Sequence, residues 1–472
     1  MKNTIEECLT ELRGLSPAVV STELADREAH AVDAWPVSVK RVQQGVAMPL
    51  PSVVVRPRDA QQVSQILRIA NARGVSVTPW GAGSSVVGQP LPEEGGISLD
   101  MRAMSRIIDV DDVNLQIRVE AGAMGSVVEE HLVSLGYTMN FSPQSLARST
   151  VGGWVATRAT GQFSSRWGGI EDALVSLTVV RPTGEIVSTH GAPRAATGPD
   201  IKQLFVGSEG TLGVVTEVVL KIYPVSPFEN LDTLVFPDAR AGLEAMRKIM
   251  RAGLRPMLLR VYDQEEARHA LKDPTFAGAA MFLGVRGVQA VAEAELAACV
   301  SIATDEGGAS QGPAGAEAWM GRRFDFSAVE AILDEPGGVA ETIEVSNTWS
   351  GIAETYAQVK KALEPLVDEV LCHFSHAYSN GTSLYVIVLG KQADAAAAEA
   401  RLHQIWETTM ETCLATDASL SHHHGSGLAR LPWLAESLGD SLAIVRDIKQ
   451  ALDPGTVLSP GRLAISSQSG AR

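Results

Sequence analysis

Three consecutive histidines, His422, His423 and His424, form the most unusual polar cluster in the sequence. Imidazole has an unperturbed pKa of about 6.5, so it can take up or release a proton at neutral pH. Because successive side chains of an extended segment point to opposite sides, we expect His422 and His424 to share one side and His423 to face the other. One or two rings would then face a ligand; a solvated loop without a role is the alternative.

A single charged residue, Arg260, interrupts an apolar run at residues 257–261. A charge inside such a run is costly unless it is paired or faces a cleft. The planar guanidinium group binds a carboxylate or phosphate through two parallel hydrogen bonds. Arg260 is therefore a candidate anchor for an anionic substrate, and a salt bridge at the surface or between domains is the alternative.

Three glycine-rich segments predict a site for phosphate groups. They span residues 79–88 after a helix and a short strand, residues 149–153 at the start of a helix, and residues 207–213 before a strand. Glycine permits positive φ and close approach of the backbone, so consecutive N–H groups can converge on a phosphate. One such loop is more often a plain turn, but three together indicate one large dinucleotide.

Two common nucleotide motifs are absent from the sequence. No Gly-x-Gly-x-x-Gly lies at a first strand-to-helix turn with an acidic residue about twenty positions later, as nicotinamide-binding domains require. No Gly-x-x-x-x-Gly-Lys-Ser/Thr segment for a nucleoside triphosphate is present either. A flavin is therefore the favoured dinucleotide.

The composition is ordinary for a large globular enzyme, with 472 residues, 45% of them hydrophobic and 20% charged. This length predicts two or three domains. A formal net charge of −16 argues against nucleic acid as a partner. Four dispersed cysteines without a Cys-x-x-Cys pair predict neither disulfides nor a thiolate metal site. With no signal pattern and no long apolar run, we expect a cytoplasmic protein without an integral membrane segment.

The order of the predicted elements indicates an α+β fold. Residues 52–78 predict a β-α-β unit whose helix is capped by Asp59, and residues 96–135 predict a second one. Residues 151–222 continue with a helix and strands. From about residue 233, long alanine-rich helices alternate with apolar strands, which predicts one mainly antiparallel sheet covered by helices.

These motifs resemble the flavin domain of the vanillyl-alcohol-oxidase and p-cresol-methylhydroxylase superfamily. The resemblance covers nearly the whole chain and rests on the three glycine-rich segments together with residues 168–172, 453–455 and 459–462. Within the superfamily, the pattern of this sequence most resembles that of alkylglycerone-phosphate synthase and its bacterial relatives. The resemblance lies in residues 149–161, 197–200 and 421–427. The resemblance implies a PCMH-type FAD-binding domain of two subdomains, plus a cap domain with a helix-covered antiparallel sheet.

The resemblance also divides the chain into a FAD-binding domain (1–228), a cap domain for the substrate (229–420) and a C-terminal segment (421–472) that returns to the FAD site. The FAD pyrophosphate would lie on residues 81–85. Relatives with covalent FAD use a histidine in this loop or in the cap, whereas Ser84 and Ser85 stand here, so we predict non-covalent FAD. The expected cofactor contacts are Pro79, Trp80, Gly81, Ala82, Gly83, Ser84, Ser85, Gly88, Pro143, Ser149, Thr150, Gly152, Gly153, Thr157, Gly161, Glu209, Gly210, Gly213, Val214 and Val215.

Catalytic roles follow from the same resemblance. Tyr378 matches the position at which the synthase family has a tyrosine near flavin N5, and its phenol can exchange a hydrogen bond with a substrate hydroxyl. Arg323 has the spacing to Glu344 and Trp349 of the family's second active-site arginine. Arg260 and Arg323 would then bind the substrate anion. A rim position for Tyr378 and a salt bridge for Arg323 are the alternatives.

A metal ion is not expected. Relatives that oxidise D-2-hydroxy acids hold a divalent ion with two histidines and a glutamate. Here His376 keeps the first position, Ser383 replaces the second histidine and His423 stands in place of the glutamate. Two histidines alone are an incomplete zinc site.

Two enzymatic functions fit this pattern. The first is oxidation of a small hydroxyl substrate with an anionic group, such as a 2-hydroxy acid. A histidine of the cluster or Tyr378 takes the hydroxyl proton, hydride passes to flavin N5, and oxygen or another acceptor takes the electrons. The alternative is a redox-neutral transferase like the synthase, working through a flavin N5 adduct. We favour the oxidoreductase because the chain is shorter and has no long N-terminal extension.

A flavin-binding protein without turnover is a third, less favoured hypothesis, since the polar residues of the site are retained. By analogy with the superfamily we expect a homodimer.

Overall fold

The computed structural model describes residues 2–15, 20–92 and 95–465. Within these ranges the strands form sheets of four, five, two and seven strands. No helix of the described ranges is long and apolar enough to cross a membrane.

The first sheet has the strand order β1-β2-β4-β3, with β2 and β3 both parallel to β4. The predicted β-α-β unit is present, but β4 lies between its two strands. Asp59 caps α4 as expected, because its side chain accepts a hydrogen bond from the N–H of Gln62 at 2.8 Å. The elements are α1 (Lys2–Leu15), β1 (Val20–Ser21), α2 (Leu24–Ala29), α3 (Pro36–Gln43), β2 (Val53–Val55), α4 (Ala60–Arg73), β3 (Val77–Trp80) and β4 (Ile97–Asp100).

The second sheet is antiparallel, in the order β5-β6-β10-β8-β9, and β7 pairs separately with β11. The predicted second β-α-β unit at residues 96–135 is wrong, since β4 belongs to the first sheet and β5 forms a hairpin with β6. A hairpin turn is too short for the crossover that parallel strands need. The elements are β5 (Ile107–Asp111), β6 (Gln116–Glu120), α5 (Gly125–Ser134), β7 (Tyr137–Thr138), α6 (Val151–Thr157), α7 (Ser164–Trp167), α8 (Ile170–Ala173), β8 (Leu174–Val180), β9 (Ile186–Ser188), β10 (Val214–Lys221) and β11 (Tyr223–Pro224).

The third sheet has seven strands in the order β15-β12-β14-β13-β17-β18-β16, and all of its pairs are antiparallel. The predicted helix-covered antiparallel sheet is confirmed. Its elements are β12 (Phe228–Phe236), α9 (Ala239–Arg251), β13 (Leu258–Tyr262), α10 (Gln264–Leu271), β14 (Ala279–Gly287), α11 (Gln289–Asp305), β15 (Ala309–Ser310), α12 (Ala314–Arg322), α13 (Ser327–Asp334), β16 (Gly338–Thr348), α14 (Ile352–Leu363), β17 (Glu369–Ala377), β18 (Gly381–Lys391) and α15 (Ala395–Ala415).

Both faces of the third sheet are buried, which explains the charge within an apolar run. Leu259 and Val261 of β13 point into the core that contains residues of α9, α11, α14 and α15. Arg260 and Tyr262 alternate with them and point to the other face. On that face the strand register places Tyr262 opposite His373, His373 opposite Tyr385, and Tyr385 opposite Glu344.

The C-terminal segment passes the third sheet and returns to the first one. It contains α16 (Leu431–Leu438) and α17 (Ser441–Leu452). Leu458 forms a parallel bridge with Val77 of β3. The buried ammonium group of Lys449 donates to the carbonyl groups of Thr211 at 2.7 Å and of Leu458 at 2.8 Å. These contacts hold the C-terminal segment against β3 and against the third glycine-rich segment, residues 207–213.

Candidate active site

The first glycine-rich loop leaves consecutive backbone N–H groups free. Pro79 and Trp80 end strand β3, and the loop proper begins at Gly81. Among the described residues, the N–H groups of residues 82–86 donate no hydrogen bond. The N–H of Gly88 donates to the buried carboxylate of Asp33 at 2.9 Å, which holds the end of the loop. Free N–H groups on one short turn are the feature that binds a phosphate.

Two glycines of this loop have no room for a side chain. A Cβ atom on Gly81 would lie 2.6 Å from the hydroxyl oxygen of Thr150, so the first and second loops touch. Gly83 has a φ of +67°, and a Cβ there would lie 2.6 Å from the ring of Trp80. Because this loop combines free donors with a bare backbone, it fits the pyrophosphate of FAD.

The second and third loops differ from the first, because their N–H groups bond mainly to the chain itself. The N–H of Gly152 donates to the carbonyl group of Ala121 at 2.7 Å, and that of Glu209 donates to Ala156 at 2.8 Å. The prediction that all three loops offer N–H groups to a cofactor therefore stays a prediction, and in these two loops fewer N–H groups are available for it. The glycines at positions 152, 161 and 213 avoid clashes with Ala121, Ser142 and Val179, respectively.

Most of the remaining predicted cofactor residues belong to these loops. Hydroxyl groups of four of them bond within the chain: Ser85 with the N–H of Val87, Ser149 with the indole of Trp154, Thr150 with the N–H of Gly153, and Thr157 with the carbonyl of Gly153. Ala82 and Ser84 are half-buried in the first loop, Gly210 packs near Pro79, and Pro143, Val214 and Val215 are buried. Their contacts with FAD stay predictions.

The three histidines lie in a loop that one buried carboxylate holds. Glu344 of β16 accepts hydrogen bonds from the N–H of His422 at 2.7 Å, from the N–H of His424, and from the hydroxyl of Ser421 at 3.0 Å. Its second oxygen pairs with Arg430 at 3.2 Å. Burial alone would raise the pKa of Glu344, but Arg430 and the neighbouring histidines lower it to about 2.

The predicted alternation of the histidine side chains is wrong. The ring centroids of His422 and His423 lie 5.0 Å apart, and those of His423 and His424 lie 4.6 Å apart. Glu344 explains the difference, because one carboxylate draws in the N–H groups of residues 422 and 424 and bends the segment. Consecutive rings therefore contact one another instead of facing opposite sides.

Tyr378 and two of the histidines form a hydrogen-bonded chain. Tyr378 lies in the turn between β17 and β18, and its hydroxyl group is 2.9 Å from Nε2 of His422. Nδ1 of His422 is in turn 2.8 Å from Nδ1 of His423. The ring of His376 stacks on that of His422, with centroids 4.8 Å apart, and its Nδ1 bonds to Ser164 at 2.6 Å.

Burial keeps these groups uncharged. It lowers the pKa of His422 and of His423 to about 3, that of His424 to about 4, and that of His376 well below its ordinary value. Burial also raises the pKa of the Tyr378 phenol, which therefore keeps its proton at neutral pH. The phenol can donate to His422, and the two neutral imidazoles can pass a proton on.

The histidine cluster also has the spacing of metal ligands. Ring nitrogens of His376, His422 and His423 lie within 4.8 Å of one another. Sequence reasoning paired His376 with His423 and did not include His422. Ser383, at the position of the second histidine in metal-binding relatives, bonds to Ser375 and to the N–H of His376. The absence of a resident metal stays a prediction.

The two predicted anion anchors, Arg260 and Arg323, both lie beside buried aromatic rings. The guanidinium group of Arg260 is 4.9 Å above the ring of Trp319, and that of Arg323 lies 5.9 Å from the ring of Phe163. Burial, reinforced by nearby Arg286, lowers the pKa of Arg323. Within the described part of the chain, the buried Nε atom of each anchor has no hydrogen-bond partner. Each therefore keeps a donor for an anion.

Sequence reasoning missed the positioning roles of two residues, Glu209 and Arg430. Glu209, predicted as a cofactor contact, accepts hydrogen bonds from the side chain of Gln89 at 3.0 Å and from the N–H groups of Ser426 at 2.6 Å and Gly427 at 3.1 Å. It therefore links the third glycine loop to the histidine loop. Arg430 was also missed, because its spacing to Glu344 gives no local signal.

The fold and the site define a class, that of flavoproteins with a PCMH-type FAD-binding domain. Two protein families match the chain, the FAD binding domain at residues 51–190 and the FAD linked oxidases, C-terminal domain, at residues 227–463. The chain belongs to this family of FAD-linked oxidoreductases, and its cofactor is FAD. The p-cresol methylhydroxylase structure has the same fold, with a TM-score of 0.83 over 99% of this chain and 98% of that one at 16% identity.

Characterised and uncharacterised relatives share most of the chain's length. The uncharacterized FAD-linked oxidoreductase YgcU of Escherichia coli (strain K12) is 30% identical over 88% of this chain and 89% of its own. Alkyldihydroxyacetonephosphate synthase of Trypanosoma brucei brucei is 28% identical over 91% of this chain and 76% of its own. The mitochondrial D-lactate dehydrogenase [cytochrome] of Arabidopsis thaliana is 29% identical over 88% of this chain and 74% of its own.

The free N–H groups of the first loop predict that Gly83→Ala weakens the binding of FAD. The new Cβ would clash with Trp80 and displace the loop, so we expect the Kd for FAD to rise at least about tenfold. Titration of FAD into the apoprotein, followed by flavin fluorescence, measures this change. The matched control is Gly74→Ala, which has a similar φ of +60° but no atom within 4 Å of the new Cβ. Equal FAD affinity of the two variants would contradict the assignment.

The neutral, half-buried histidines of residues 422–424 predict acid sensitivity. Their pKa values are about 6.5 in the unfolded chain but about 3 to 4 for residues 422–424 in the folded one. Between these limits the unfolded chain binds more protons, so the free energy of unfolding falls as the pH falls. Each histidine contributes a slope of up to about 1.4 kcal/mol per pH unit.

Denaturant unfolding between pH 7 and 4 measures that slope. We expect His424→Gln to make it shallower, because one titrating group is lost. His131 is exposed on α5, and His131→Gln should leave the slope unchanged. A pH-independent wild-type protein would show that the histidines are not held neutral.

Proposed function

We propose that this chain oxidises a small hydroxyl compound that carries an anionic group, such as a 2-hydroxy acid. The observation that carries this proposal is the hydrogen-bonded chain from Tyr378 through His422 to His423. FAD, when bound, accepts the hydrogen and the two electrons that leave the substrate carbon. The residues of the chain bind and orient the substrate and remove its hydroxyl proton.

Arg260 and Arg323 hold the anion in this proposal. Each has a buried Nε–H group that no acceptor of the described residues satisfies. An unsatisfied buried donor is costly, and a carboxylate or phosphate oxygen would satisfy it. The aromatic rings beside both guanidinium groups exclude water, which strengthens the attraction to an anion.

Tyr378 receives the substrate's hydroxyl proton. As it does so, the phenol gives its own proton to Nε2 of His422, and Nδ1 of His422 gives its proton to Nδ1 of His423. The positive charge that results lies on His423, close enough to Glu344 for the carboxylate to favour it. This arrangement moves the proton away from the reacting carbon without a water molecule.

The first glycine loop holds the cofactor in the same proposal. The N–H groups of residues 82–86 would bind the pyrophosphate, as positive ends of backbone dipoles. Ser84 and Ser85 offer no side chain of the kind that carries covalent FAD in relatives, so the FAD is proposed to be dissociable.

A redox-neutral transferase is the second candidate. It is favoured by the 28% identity to the trypanosomal alkyldihydroxyacetonephosphate synthase and by the presence of Tyr378, His423, Arg260 and Arg323. The same residues suit either chemistry, because both bind an anionic substrate and move a proton. A homodimer and a cytoplasmic location are further proposals. The first rests on analogy with the superfamily, and the second rests on four cysteines that are free and buried.

Anaerobic titration separates these functions. We expect a D- or L-2-hydroxy acid to bleach the flavin absorption band of the FAD-loaded protein, and oxygen or dye reduction then identifies the electron acceptor. Alkyl exchange on an acylated ketone phosphate without net bleaching would favour the transferase. FAD binding without either response would contradict both enzymatic proposals.

Replacement of the phenol tests the proton path. Without its hydroxyl group the path has no entry, so we expect Tyr378→Phe to slow flavin bleaching about 100-fold or more while FAD stays bound. The matched control is Tyr356→Phe on α14, which removes the hydroxyl group that donates to Asp263 and should leave the rate unchanged. Equal rates for the two variants would remove Tyr378 from the mechanism.

A further inference from the structure

Arg260 belongs to a buried chain of three polar residues. Its Nη2 atom is 2.7 Å from Nε2 of His373, and Nδ1 of His373 is 2.8 Å from each carboxylate oxygen of Glu266. The three residues are 8%, 5% and 6% exposed, respectively. Neither His373 nor Glu266 has a role in the proton path of Tyr378.

The donors and acceptors fix the protonation of this chain. A guanidinium group only donates hydrogen bonds, so Nε2 of His373 must accept. The neutral imidazole then carries its hydrogen on Nδ1 and donates it to Glu266. Burial and nearby Arg260 lower the pKa of His373, in agreement with a neutral ring. Burial raises the pKa of Glu266, and Arg260 opposes this shift. The equal distances of 2.8 Å from Nδ1 to the two oxygens are those of a carboxylate that accepts from His373.

The packing around the chain fixes its orientation. The ring of His373 lies between those of Tyr262 and Tyr385, each with its centroid 4.8 Å away. This stack follows from the register of β13, β17 and β18, which places the three residues side by side. Glu266 lies in the first turn of α10, where its N–H donates to Asp263 at 3.0 Å. Neither hydrogen-bond partner of His373, Arg260 or Glu266, can rotate without breaking buried contacts.

We propose that His373 and Glu266 are positioning residues, which hold Arg260 with its unpaired Nε–H directed to the substrate anion. This inference rests on the proposed function, in which Arg260 binds that anion. If Glu266 were replaced by an apolar residue, the hydrogen of His373 would be free to move to Nε2. That nitrogen would then face Arg260 as a second donor, and the guanidinium group would turn away.

Leu and Gln variants separate the loss of hydrogen-bond polarity from a change in side-chain volume. Glu266→Leu and His373→Leu remove an acceptor or the linking ring. Glu266→Gln keeps an acceptor for Nδ1, and His373→Gln offers a carbonyl to Arg260 and an amide N–H to Glu266. Recovery in the Gln variants therefore indicates a positioning role and not merely filled volume.

Calorimetric titration of oxalate into the FAD-loaded full-length protein tests the proposal. Oxalate has carboxylates but no carbon-bound hydrogen, so binding is measured without turnover. We expect both Leu variants to bind oxalate at least tenfold more weakly than the wild type, and both Gln variants to stay within about threefold of it or to bind more tightly. The control is Glu265→Gln, which alters the neighbouring residue that pairs with Lys360 and should bind as the wild type does.

Kinetics add a second readout. For an anionic substrate we expect the Leu variants to raise KM more than they lower kcat, because binding of the anion is what they weaken. Arg260→Met provides a further check, since whichever Leu variant folds should cause no further loss of oxalate affinity in that background. Wild-type affinity in the Leu variants, or equal loss in the Gln and Leu variants, would overturn the proposal.

These outcomes are distinct from failure of the proposed oxidation. If the wild type binds oxalate and the Leu variants do not, but no hydroxy acid bleaches the flavin, the positioning role stands and the oxidation falls. If hydroxy acids bleach the flavin while the Leu variants bind oxalate normally, the oxidation stands and the positioning role falls. A wild type that neither binds oxalate nor oxidises hydroxy acids would contradict both.

Discussion

The site depends on one buried carboxylate, that of Glu344. It accepts two backbone N–H groups and a hydroxyl group from the histidine loop and pairs with Arg430. A carboxylate without these partners would be very unfavourable in the core, so the loop and Glu344 stabilise each other. The bend that results brings the rings of His422 and His423 into contact. The chemistry proposed for these rings therefore depends on a residue that holds the loop and favours the charge on His423 but receives no proton itself.

The third sheet separates packing from chemistry by its two faces. One face packs against long helices through Leu259, Val261 and their neighbours. The other carries the row of Tyr262, His373, Tyr385 and Glu344 across four strands. Since residues on neighbouring strands lie side by side, the same register that builds the core also places the polar row. A slip by one residue in any of these strands would bury the wrong set.

Local sequence patterns were sufficient to predict several helices and strands. Strand pairing and the contacts of the site depend on residues far away in the sequence. The cap of Asp59 and the helices α9 and α15 follow from residues within a few positions of each other, and so they could be predicted. The second predicted β-α-β unit failed because strand pairing is not local. The alternation of the histidines failed for a similar reason, since Glu344 lies far away in the sequence. The link between Arg260 and His373 likewise depends on strand pairing.

The glycine-rich loops show a related limit. Their sequences look alike, yet among the described residues the uninterrupted run of free N–H groups is at 82–86, while Gly152 serves the packing of a helix on Ala121. Glycine content alone does not distinguish a binding loop from close packing. Neighbours in space decide which of the two a given glycine provides.

The bridge between Val77 and Leu458 joins β3 to a residue that comes far later in the sequence. The first sheet therefore lacks this neighbour of β3 until residue 458 has left the ribosome. Because β3 leads directly into the first glycine loop, an N-terminal fragment that contains all three loops would still lack a neighbour of the strand that supports the first one.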